Sequence, residues 1–452
     1  MKIIIVGCGK VGEQLAAILS REQDDVTVID KNEHVVEDLC ARYDIMGTVG
    51  NGASYGVLTE ADIAHTDLVI AVTGSDELNL LCCLIAKKAG GCHTIARVRN
   101  PEYNQELGFL KEELGLAMVI NQELIAAREI ARLLKSPSAI EIDTFAKGRV
   151  ELLRFRIPEA SVLDGLNLMQ MHQKLRCNVL VCTVERDGNI VIPSGEYVLR
   201  SGDVISIVSQ AASEEEFFSK IGIQTNKCRN VMIIGGSDIG FYLTQMLIDY
   251  GINVKVIEKK LNRCELLSER FPKATIIHGD GSDRQLLMEE DLDAMEGFVA
   301  LTDFDEENII LSLFARKSNV RKIVTKINKI VFDEVIDTLD LDTTIHPRNL
   351  TAEYILQYVR ARKNSLGSNV ETLHWIVDNK AEALEFHIQK NFDKQNVPLQ
   401  ELQLRDDVLI ACITRGGGII LPRGRDVLQP DDTVIVVTTT TGLNDINDIF
   451  ER

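Results

Sequence analysis

The stretch IIIVGCGKVG at residues 3–12 decides the fold of this chain, and a second version of it, VMIIGGSDIG, stands at residues 231–240. Each stretch begins with an apolar run of strand length and passes through glycines into a segment of helical character. A Gly-x-Gly-x-x-Gly motif binds dinucleotides when it stands in this strand-to-helix context. Its first glycine allows a tight turn, its second lets the backbone approach a pyrophosphate, and its third lets helix and strand pack closely.

The resemblance between the two halves continues beyond the glycines. A strand ending in an acid follows each motif, with Asp30 in the first copy and Glu258 in the second, 228 residues apart. Strands that end in Thr73 and Thr302 come next, at an offset of 229. Because IVIPSG at 190–195 also matches IILPRG at 419–424, the chain is a duplication of a unit longer than one nucleotide-binding domain.

The pattern of apolar segments indicates the fold class. In the first copy, apolar strands near residues 2–6, 26–30, 45–49, 68–72 and 94–98 alternate with helical stretches, which is typical of a parallel sheet covered on both faces. The second part of each unit is shorter and rich in strands, with a hairpin signal at Asp187-Gly188. We predict an α/β protein with two Rossmann-like, doubly wound parallel-sheet domains, each followed by a small α+β domain. The expected domains span residues 1–125, 140–225, 228–350 and 368–452.

The first copy carries the stronger nucleotide signal. Asp30 ends the second strand, where a carboxylate accepts hydrogen bonds from ribose hydroxyls and repels a 2′-phosphate, so it favours NAD over NADP. Thr73 and Gly74 end the fourth strand on the same rim, and Arg97 either reaches the phosphates or forms a surface salt bridge. A purely structural glycine turn is the alternative interpretation. The predicted binding residues of this copy are Gly7, Cys8, Gly9, Lys10, Val11, Gly12, Asp30, Thr73, Gly74 and Arg97.

The second copy departs from the motif at two positions. Ser237 replaces the second glycine, and Asp238 stands in the place of Lys10. A Cβ crowds the pyrophosphate, and a carboxylate repels it by about 1 kcal/mol or more at an intermediate dielectric. The candidate residues here are Gly235, Gly236, Ser237, Asp238, Ile239, Gly240 and Glu258. We expect this copy to bind an adenine nucleotide more weakly, or to select a ligand with less phosphate charge.

The composition excludes several classes of protein. The chain has 49 lysines and arginines against 68 aspartates and glutamates, a net charge of −19, which disfavours nucleic-acid binding. Its apolar runs are of strand length, so no membrane span or signal peptide is expected, and the cytoplasm is the expected compartment. Ten cysteines without a CxxC pair and eight histidines without ligand spacing predict reduced, mostly buried thiols and no metal site.

The repeated order of glycine motif, ribose acid, threonine-ending strand and TIARV-type strand, followed by a small β-rich domain, resembles the domains that regulate conductance of potassium. Two such units in one chain are similar to the cytosolic regulatory subunits of Trk potassium uptake systems. The resemblance implies NAD(H), and in several members ATP or ADP, at Gly7–Gly12, Asp30, Thr73 and Arg97. It also implies a ring, here a homotetramer, that lies at the inner face of the membrane beneath a potassium-translocating subunit.

Two other functions compete with this interpretation. An NAD-dependent oxidoreductase needs a substrate domain and a positioned acid or base, and the chain has no insertion of that size. A transcription regulator that senses NADH needs a basic helix-turn-helix, which is absent and would conflict with the acidic charge. We therefore expect a non-catalytic nucleotide sensor.

Overall fold

The computed structural model describes residues 1–100, 103, 107–136, 139–145, 150–159, 161–209, 211–223, 227–328, 339, 341–364, 370–376, 380–440, 443 and 445–451. These residues form two compact units. The first combines Met1–Ala131 with Asn230–Leu356, and the second combines Arg132–Arg229 with Gln357–Arg452. Each unit therefore contains corresponding parts of both sequence copies.

The first Rossmann domain has six strands, β1 Lys2–Val6, β2 Asp25–Asp30, β3 Met46–Val49, β4 Leu68–Ala71, β5 His93–Arg97 and β6 Met118–Ile120. Its helices are α1 Lys10–Arg21, α2 Glu33–Arg42, α3 Tyr55–Glu60, α4 Asp76–Gly90, α5 Leu107–Glu113 and α6 Gln122–Lys135, with a 3₁₀ turn at Ile63–His65. The strands are parallel, in the order β3-β2-β1-β4-β5-β6. The order reverses beside β1, and in such sheets ligands bind outside the carboxyl ends of the strands at this switch point.

The first small domain contains β7 Glu141–Phe145, β8 Val150–Arg156, β9 Val179–Arg186, β10 Asn189–Val191 and β11 Val204–Ser209, with helices α7 Leu168–Leu175 and α8 Ala211–Lys220. Its sheet is antiparallel, in the order β10-β9-β11-β8-β7. Asp187 and Gly188 join β9 to β10 with φ values of 53° and 76°. The hairpin predicted at this dipeptide is confirmed.

The second Rossmann domain repeats the first. Its strands are β12 Asn230–Ile234, β13 Asn253–Glu258, β14 Thr275–His278, β15 Gly297–Ala300, β16 Lys322–Lys326 and β17 Thr343–Ile345. Its helices are α9 Asp238–Asp249, α10 Leu261–Arg270, α11 Arg284–Glu289, α12 Asp305–Lys317 and α13 Pro347–Asn364, with a 3₁₀ turn at Leu292–Ala294. The parallel order β14-β13-β12-β15-β16-β17 matches that of the first domain.

The second small domain contains β18 Val370–Ile376, β19 Ala381–His387, β20 Val408–Arg415, β21 Gly418–Ile420 and β22 Thr433–Thr438, with 3₁₀ turns at Leu399–Glu401 and Ile446–Ile449. Its antiparallel order, β18-β19-β22-β20-β21, is that of the first small domain. The α/β fold class predicted from the sequence is confirmed in both copies.

Apolar burial explains why the strands lie where they do. Leu68–Ala71 and Gly297–Ala300 are buried along their whole length, as expected for strands covered by helices on both faces. Within the second unit, the two small domains share one apolar cluster, to which Phe145 and Cys182 contribute from one copy and Cys412 and Val437 from the other. All ten cysteines are free, and nine of them are buried.

The two Rossmann domains also contact each other within the first unit. Gln14 Nε2 in α1 donates to Asn349 Oδ1 at 2.7 Å, and Asn121 Nδ2 donates to Tyr242 Oη in α9 at 3.0 Å. Gln14 and Tyr242 occupy equivalent positions of the repeat, so each domain uses its corresponding helix, α1 or α9, for this contact. Within the described part of the chain, no helix is both long and apolar enough to cross a bilayer.

Candidate nucleotide-binding site

Backbone conformation and packing require glycine at two positions of the first loop. Gly7 has a φ of +102°, and a Cβ built on it would lie 2.9 Å from the backbone nitrogen of Thr73. A Cβ on Gly12 would lie 1.9 Å from the carbonyl oxygen of Gly7. These positions confirm the roles predicted for the first and third glycines, a tight turn and a close approach of helix to strand.

Gly9 differs from both. It precedes α1 with φ −68° and ψ −177°, an extended conformation that any residue adopts. A Cβ at this position would meet nothing within 4 Å, and Gly9 and Lys10 are both exposed. Since neither backbone conformation nor packing requires a glycine here, the open space suits a group that approaches the backbone from outside, as a pyrophosphate does.

Asp30 lies directly against this loop. Its Oδ2 accepts the backbone N–H of Cys8 at 2.7 Å, and its Oδ1 accepts that of Asn32 at 3.0 Å. An ionised carboxylate has about four lone-pair sites, so both oxygens keep capacity for ribose hydroxyls. Because Asp30 already accepts the N–H of Cys8, the loop amides beyond it, at the start of α1, are the ones placed for an anion.

The side chains of Cys8 and Val11 belong to the core rather than to the open side of the loop. Burial, followed by the nearby Asp30 and Cys40, raises the pKa of the Cys8 thiol to about 12. The thiol therefore stays protonated at neutral pH, which is unfavourable for a redox role. Val11 can therefore contribute to a nucleotide site through its backbone only, while the N–H of Cys8 is already bonded to Asp30.

A buried asparagine fixes the rim formed by β4 and β5. Asn79 is 0% exposed; its Oδ1 accepts from the N–H and from the hydroxyl of Thr73, both at 2.7 Å. Its Nδ2 donates to the carbonyl of Arg97 at 2.8 Å. Asn308 makes the equivalent contacts to Thr302 and Lys326 in the second copy. The recurrence of this asparagine in the repeat was the sequence signal for its role.

Arg97 lies on the same rim, and its guanidinium bonds to the end of β4. Its Nη2 donates to the carbonyl of Thr73 at 2.6 Å, while its Nε is buried and has no hydrogen-bond partner among the described residues. Burial lowers the pKa of Arg97, but a guanidinium keeps its charge at neutral pH. Gly74 beside it is exposed, and its carbonyl accepts from Arg99 Nη2 at 2.8 Å.

Asp76 and Arg99 belong to the same rim and were missed by the sequence analysis. Asp76 is buried and its Oδ2 accepts the backbone N–H groups of Arg99 and Asn100, both at 2.9 Å. These contacts tie the start of α4 to the chain that follows β5. The acidic helix start after a threonine-ending strand was visible in both copies, but its partner beyond β5 was not.

The second copy keeps the frame of the loop. Gly235 has a φ of +99°, and a Cβ on Gly240 would lie 2.6 Å from the carbonyl oxygen of Gly235. Glu258 accepts the N–H of Gly236 at 2.6 Å through Oε2, and that of Lys260 at 2.7 Å through Oε1. Ile239, like Val11, is buried on the core side of its helix.

The two departures of the second copy have different surroundings. Ser237 precedes α9 in an extended conformation, and its Oγ is buried without a hydrogen-bond partner in the described structure. Asp238 Oδ1 accepts from Arg263 Nη2 at 2.8 Å, and Arg263 Nε donates to the carbonyl of Gly236 at 2.5 Å. Arg263 therefore compensates the charge of Asp238 that was expected to repel phosphate, and its counterpart 228 residues earlier is the uncharged Val35.

The described residues contain no group of three or more His, Cys, Asp or Glu side chains arranged to hold a metal ion.

The features assembled at the carboxyl end of β1 are a glycine loop, a helix N-terminus and an acid at the end of β2. In both copies this set has the layout of a dinucleotide site.

Comparison with protein-family models extends over both copies. The TrkA-N domain model matches residues 3–122 and 231–347, and the TrkA-C domain model matches residues 152–222 and 396–451. Together these matches cover well over half of the chain, in the alternating order predicted from the repeat.

Relatives match this chain over nearly all of its residues. A Trk system potassium uptake protein TrkA homolog from Archaeoglobus fulgidus is 32% identical over 450 residues, covering 100% of both chains. The Trk system potassium uptake protein TrkA of Haemophilus influenzae is 29% identical, over 96% of this chain and 95% of its own. These names denote potassium uptake proteins rather than enzymes.

Solved structures show the same fold at low sequence identity. The GsuK channel bound to NAD has a TM-score of 0.64 at 17% identity, covering 97% of this chain and 77% of that chain. GsuK bound to ADP has a TM-score of 0.51 at 15% identity, covering 80% of this chain and 69% of that chain. At these identities the likeness establishes the fold only.

Proposed function

This chain belongs to the TrkA family, and we propose that it is a cytoplasmic regulatory subunit that senses NAD(H) and controls a potassium-translocating membrane protein of the Trk type. In this role the chain binds a nucleotide without transforming it. A ligand controls such a subunit only through its different affinities for two states of the assembly.

The observation that carries this proposal is Gly9. The free chain gives no reason for a glycine there, since the backbone is extended and a Cβ would have open space on all sides. A pyrophosphate lying on the loop supplies that reason, because a side chain would hold it away from the amides of α1. The positive charge of Lys10 at the adjacent position favours the same ligand.

We assign the ligand contacts to the first copy. The backbone of Gly9, Lys10, Val11 and Gly12 binds the pyrophosphate, Asp30 accepts the ribose hydroxyls, and Thr73, Gly74 and Arg97 line the rim. The guanidinium of Arg97 supplies positive charge at this rim, and its Nε has no hydrogen-bond partner among the described residues. When NAD is bound, the chain can recognise both its adenine nucleotide and its second nucleotide. ATP and ADP have only the adenine nucleotide in common with NAD. The NAD-bound and ADP-bound structures of GsuK support both chemistries in a chain of this fold.

We further propose that the chain assembles into a homotetrameric ring at the inner face of the membrane, beneath its partner. The names of the relatives support a potassium uptake system as the setting. In this assembly the nucleotide-binding domains at 1–125 and 228–350 form the ring, and the small domains at 140–225 and 368–452 complete each unit.

The test is a titration of the full chain with NADH, followed by potassium flux in vesicles that contain the Trk membrane subunit. Gly9→Leu should abolish NADH binding and the NADH dependence of flux, and leave the thermal unfolding midpoint unchanged. Gly108→Leu is the matched control, because a Cβ on that exposed glycine also meets nothing within 4 Å. Unaltered NADH affinity in the Gly9→Leu chain would refute the proposed site.

A further inference from the structure

The second glycine loop carries its own pair of opposite charges. We infer that Arg263 and Asp238 form a latch that closes this loop to dinucleotides, so that each chain takes one NAD(H), in the first loop. The inference rests on the proposed function of the first loop and adds to it a pair of specificity-determining residues in the second.

The latch covers the place where a pyrophosphate would lie. Arg263 extends from the first turn of α10 to the loop, where its Nε donates to the carbonyl of Gly236 at 2.5 Å and its Nη2 to Asp238 Oδ1 at 2.8 Å. The same guanidinium lies 5.8 Å from the centroid of the Phe241 ring, one turn further along α9. Three points of contact therefore hold Arg263 across the loop and the first turn of α9.

Asp238 acts as the anion of this site. It is the first residue of α9, where the helix dipole and the free N–H groups favour a negative charge. An incoming pyrophosphate must either lie against this carboxylate or separate it from Arg263. Either route is unfavourable compared with the first loop, where no charge has to be displaced.

The first loop provides an internal comparison. The residues that correspond to Asp238 and Arg263 are Lys10 and Val35, so neither the carboxylate nor the guanidinium is present. Gly9 and Lys10 are exposed, whereas Ser237 and Asp238 are only partly accessible. The frame around both loops is otherwise the same, with an acid at the end of the second strand bonded to the loop backbone. The difference in accessibility is thus concentrated at the latch.

The latch also changes the electrostatic explanation for asymmetry between the copies. From the sequence, Asp238 is expected to repel phosphate as an uncompensated charge. In the structure Arg263 compensates that charge at 2.8 Å. The second loop is therefore closed because the side chain of Arg263 occupies it, rather than because Asp238 repels phosphate. Removing Asp238 alone leaves the guanidinium bonded to Gly236 across the loop.

The test counts NADH molecules bound per full-length chain by isothermal titration. The unlatched variant Asp238→Lys/Arg263→Val gives the second loop the residues of the first, with Ser237→Gly added in a further variant. Wild type should bind one NADH per chain and the unlatched chains two, the new site being within about tenfold of the first in affinity, a factor equivalent to 1.4 kcal/mol. Arg270→Val, which removes an exposed arginine from the end of the same helix, should leave the count at one.

The reciprocal substitution provides a second test of the latch in case the unlatched chain does not fold. Lys10→Asp/Val35→Arg places the latch on the first loop and should lower its NADH affinity at least about tenfold, while the thermal unfolding midpoint without nucleotide stays unchanged. Two equal sites in wild type, or an unlatched chain that folds and still binds one NADH, would overturn the latch and leave the proposed function intact. A wild-type chain that binds no NADH would contradict the proposed function. In that case an unlatched chain that binds one NADH supports the latch, and one that binds none overturns it.

Discussion

At the residue scale, an added methyl group should destabilise the protein at Gly12 but have little effect on stability at Gly9. In Gly12→Ala the new Cβ meets the carbonyl of Gly7 at 1.9 Å, a backbone atom that cannot move aside without opening the turn. We expect a loss of about 1–3 kcal/mol of stability, typical of overpacking. Gly9→Ala, with open space around the Cβ, should change stability by less than about 0.5 kcal/mol. Urea unfolding of both variants measures this, and equal losses would show that the loop is packed differently.

Asp30 should set both the affinity for NADH and the preference over NADPH. Asp30→Asn keeps one oxygen for the N–H of Cys8 but removes the charge that accepts from the ribose and repels a 2′-phosphate. Charged hydrogen bonds contribute about 1.5–3 kcal/mol, so NADH should bind roughly ten- to a hundredfold more weakly, with less discrimination against NADPH.

Fluorescence titration with the two reduced cofactors measures the effect of Asp30. Glu258→Gln, the same change in the second copy, is the control and should leave first-site affinity unaltered. Equal affinities of wild type for NADH and NADPH would refute the role of Asp30 in this preference.

The sequence predicted the glycine roles and the position of Asp30 because these depend on local spacing along one strand and one turn. It could not predict the latch. Arg263 differs from Val35 in an aligned repeat, but only the folded structure shows that its guanidinium reaches Asp238, 25 residues away in the chain. The use of the Cys8 amide by Asp30 was missed for the same reason, since the two groups are 22 residues apart and meet only in the folded sheet.

At the scale of single elements, Asn79 joins the ends of β4 and β5. Asn79→Ala leaves the N–H of Thr73 and the carbonyl of Arg97 without this partner in a buried place. A buried polar group left without a partner costs about 1–3 kcal/mol, so the first Rossmann domain should lose about that much stability. Nucleotide binding should weaken with it, because the Thr73 rim is no longer held.

Asn308→Ala is the matched change in the second copy and should destabilise its domain by a similar amount without altering NADH affinity. Hydrogen exchange of the two domains, combined with NADH titration, separates the two effects. If Asn308→Ala weakened NADH binding as much as Asn79→Ala, the rim of the second domain would have to contribute to the nucleotide site.

A forked ion pair joins β9 to the turn before β11 in the first small domain. Arg186 donates to both carboxylate oxygens of Asp203 at 2.7 Å, and the N–H of Arg200 adds a third bond. Burial alone raises the pKa of Asp203, but these hydrogen bonds outweigh it and hold the pKa below its ordinary value. The pair recurs as Arg415 with Asp432 in the second small domain.

This ion pair makes stability depend on pH in a defined direction. A depressed folded-state pKa stabilises the protein above the unfolded pKa, about 3.9 for aspartate, and that contribution disappears as the pH falls through the lower folded value. Asp203→Asn should therefore destabilise the chain by about 2 kcal/mol at neutral pH, and the difference from wild type should shrink below about pH 4. Urea unfolding across this range measures it, with Asp431→Asn, an exposed aspartate, as the control. A difference that grew with falling pH would contradict the assignment.

Strand prediction succeeded where apolar runs were long enough to be recognised. The five strands predicted for the first Rossmann domain are present, but the sixth, Met118–Ile120, has only three residues and no distinct periodicity. The shared core of the two small domains was also missed. Cys182 and Cys412 each appear as one buried residue in an alternating strand, and nothing in either strand shows that their faces meet.

At the scale of the whole molecule, the duplication places two related copies in one chain with different properties. In one unit the Rossmann domains are joined through Gln14 and Tyr242, and in the other the small domains share a core. One open glycine loop and one latched loop per chain would then give an assembly half as many nucleotide sites as Rossmann domains. A sensor built this way responds through one copy while the other contributes surface.

That surface is the basis for the last prediction, self-association of the chain. Exposed apolar side chains occupy equivalent positions on α4 and α12: Ile310 is 67% exposed and Leu81 47%, and Phe304, just before α12, is 67% exposed. Exposed apolar surface is a marker of sites of protein association. We therefore expect wild type to form a tetramer and Ile310→Glu to shift it to smaller species, because the charge would be desolvated in the contact while the fold is unaffected.

Light scattering at several concentrations measures the assembly. Leu261→Glu is the matched control, since this exposed leucine begins α10, where an acid is favourable, and its replacement should leave the tetramer intact. A wild-type mass that stays at 50.3 kDa at all concentrations would contradict the ring. An Ile310→Glu tetramer as stable as wild type would exclude the α12 face as the contact, because a buried, unpaired carboxylate at the centre of an apolar interface is too unfavourable to be tolerated without loss of affinity.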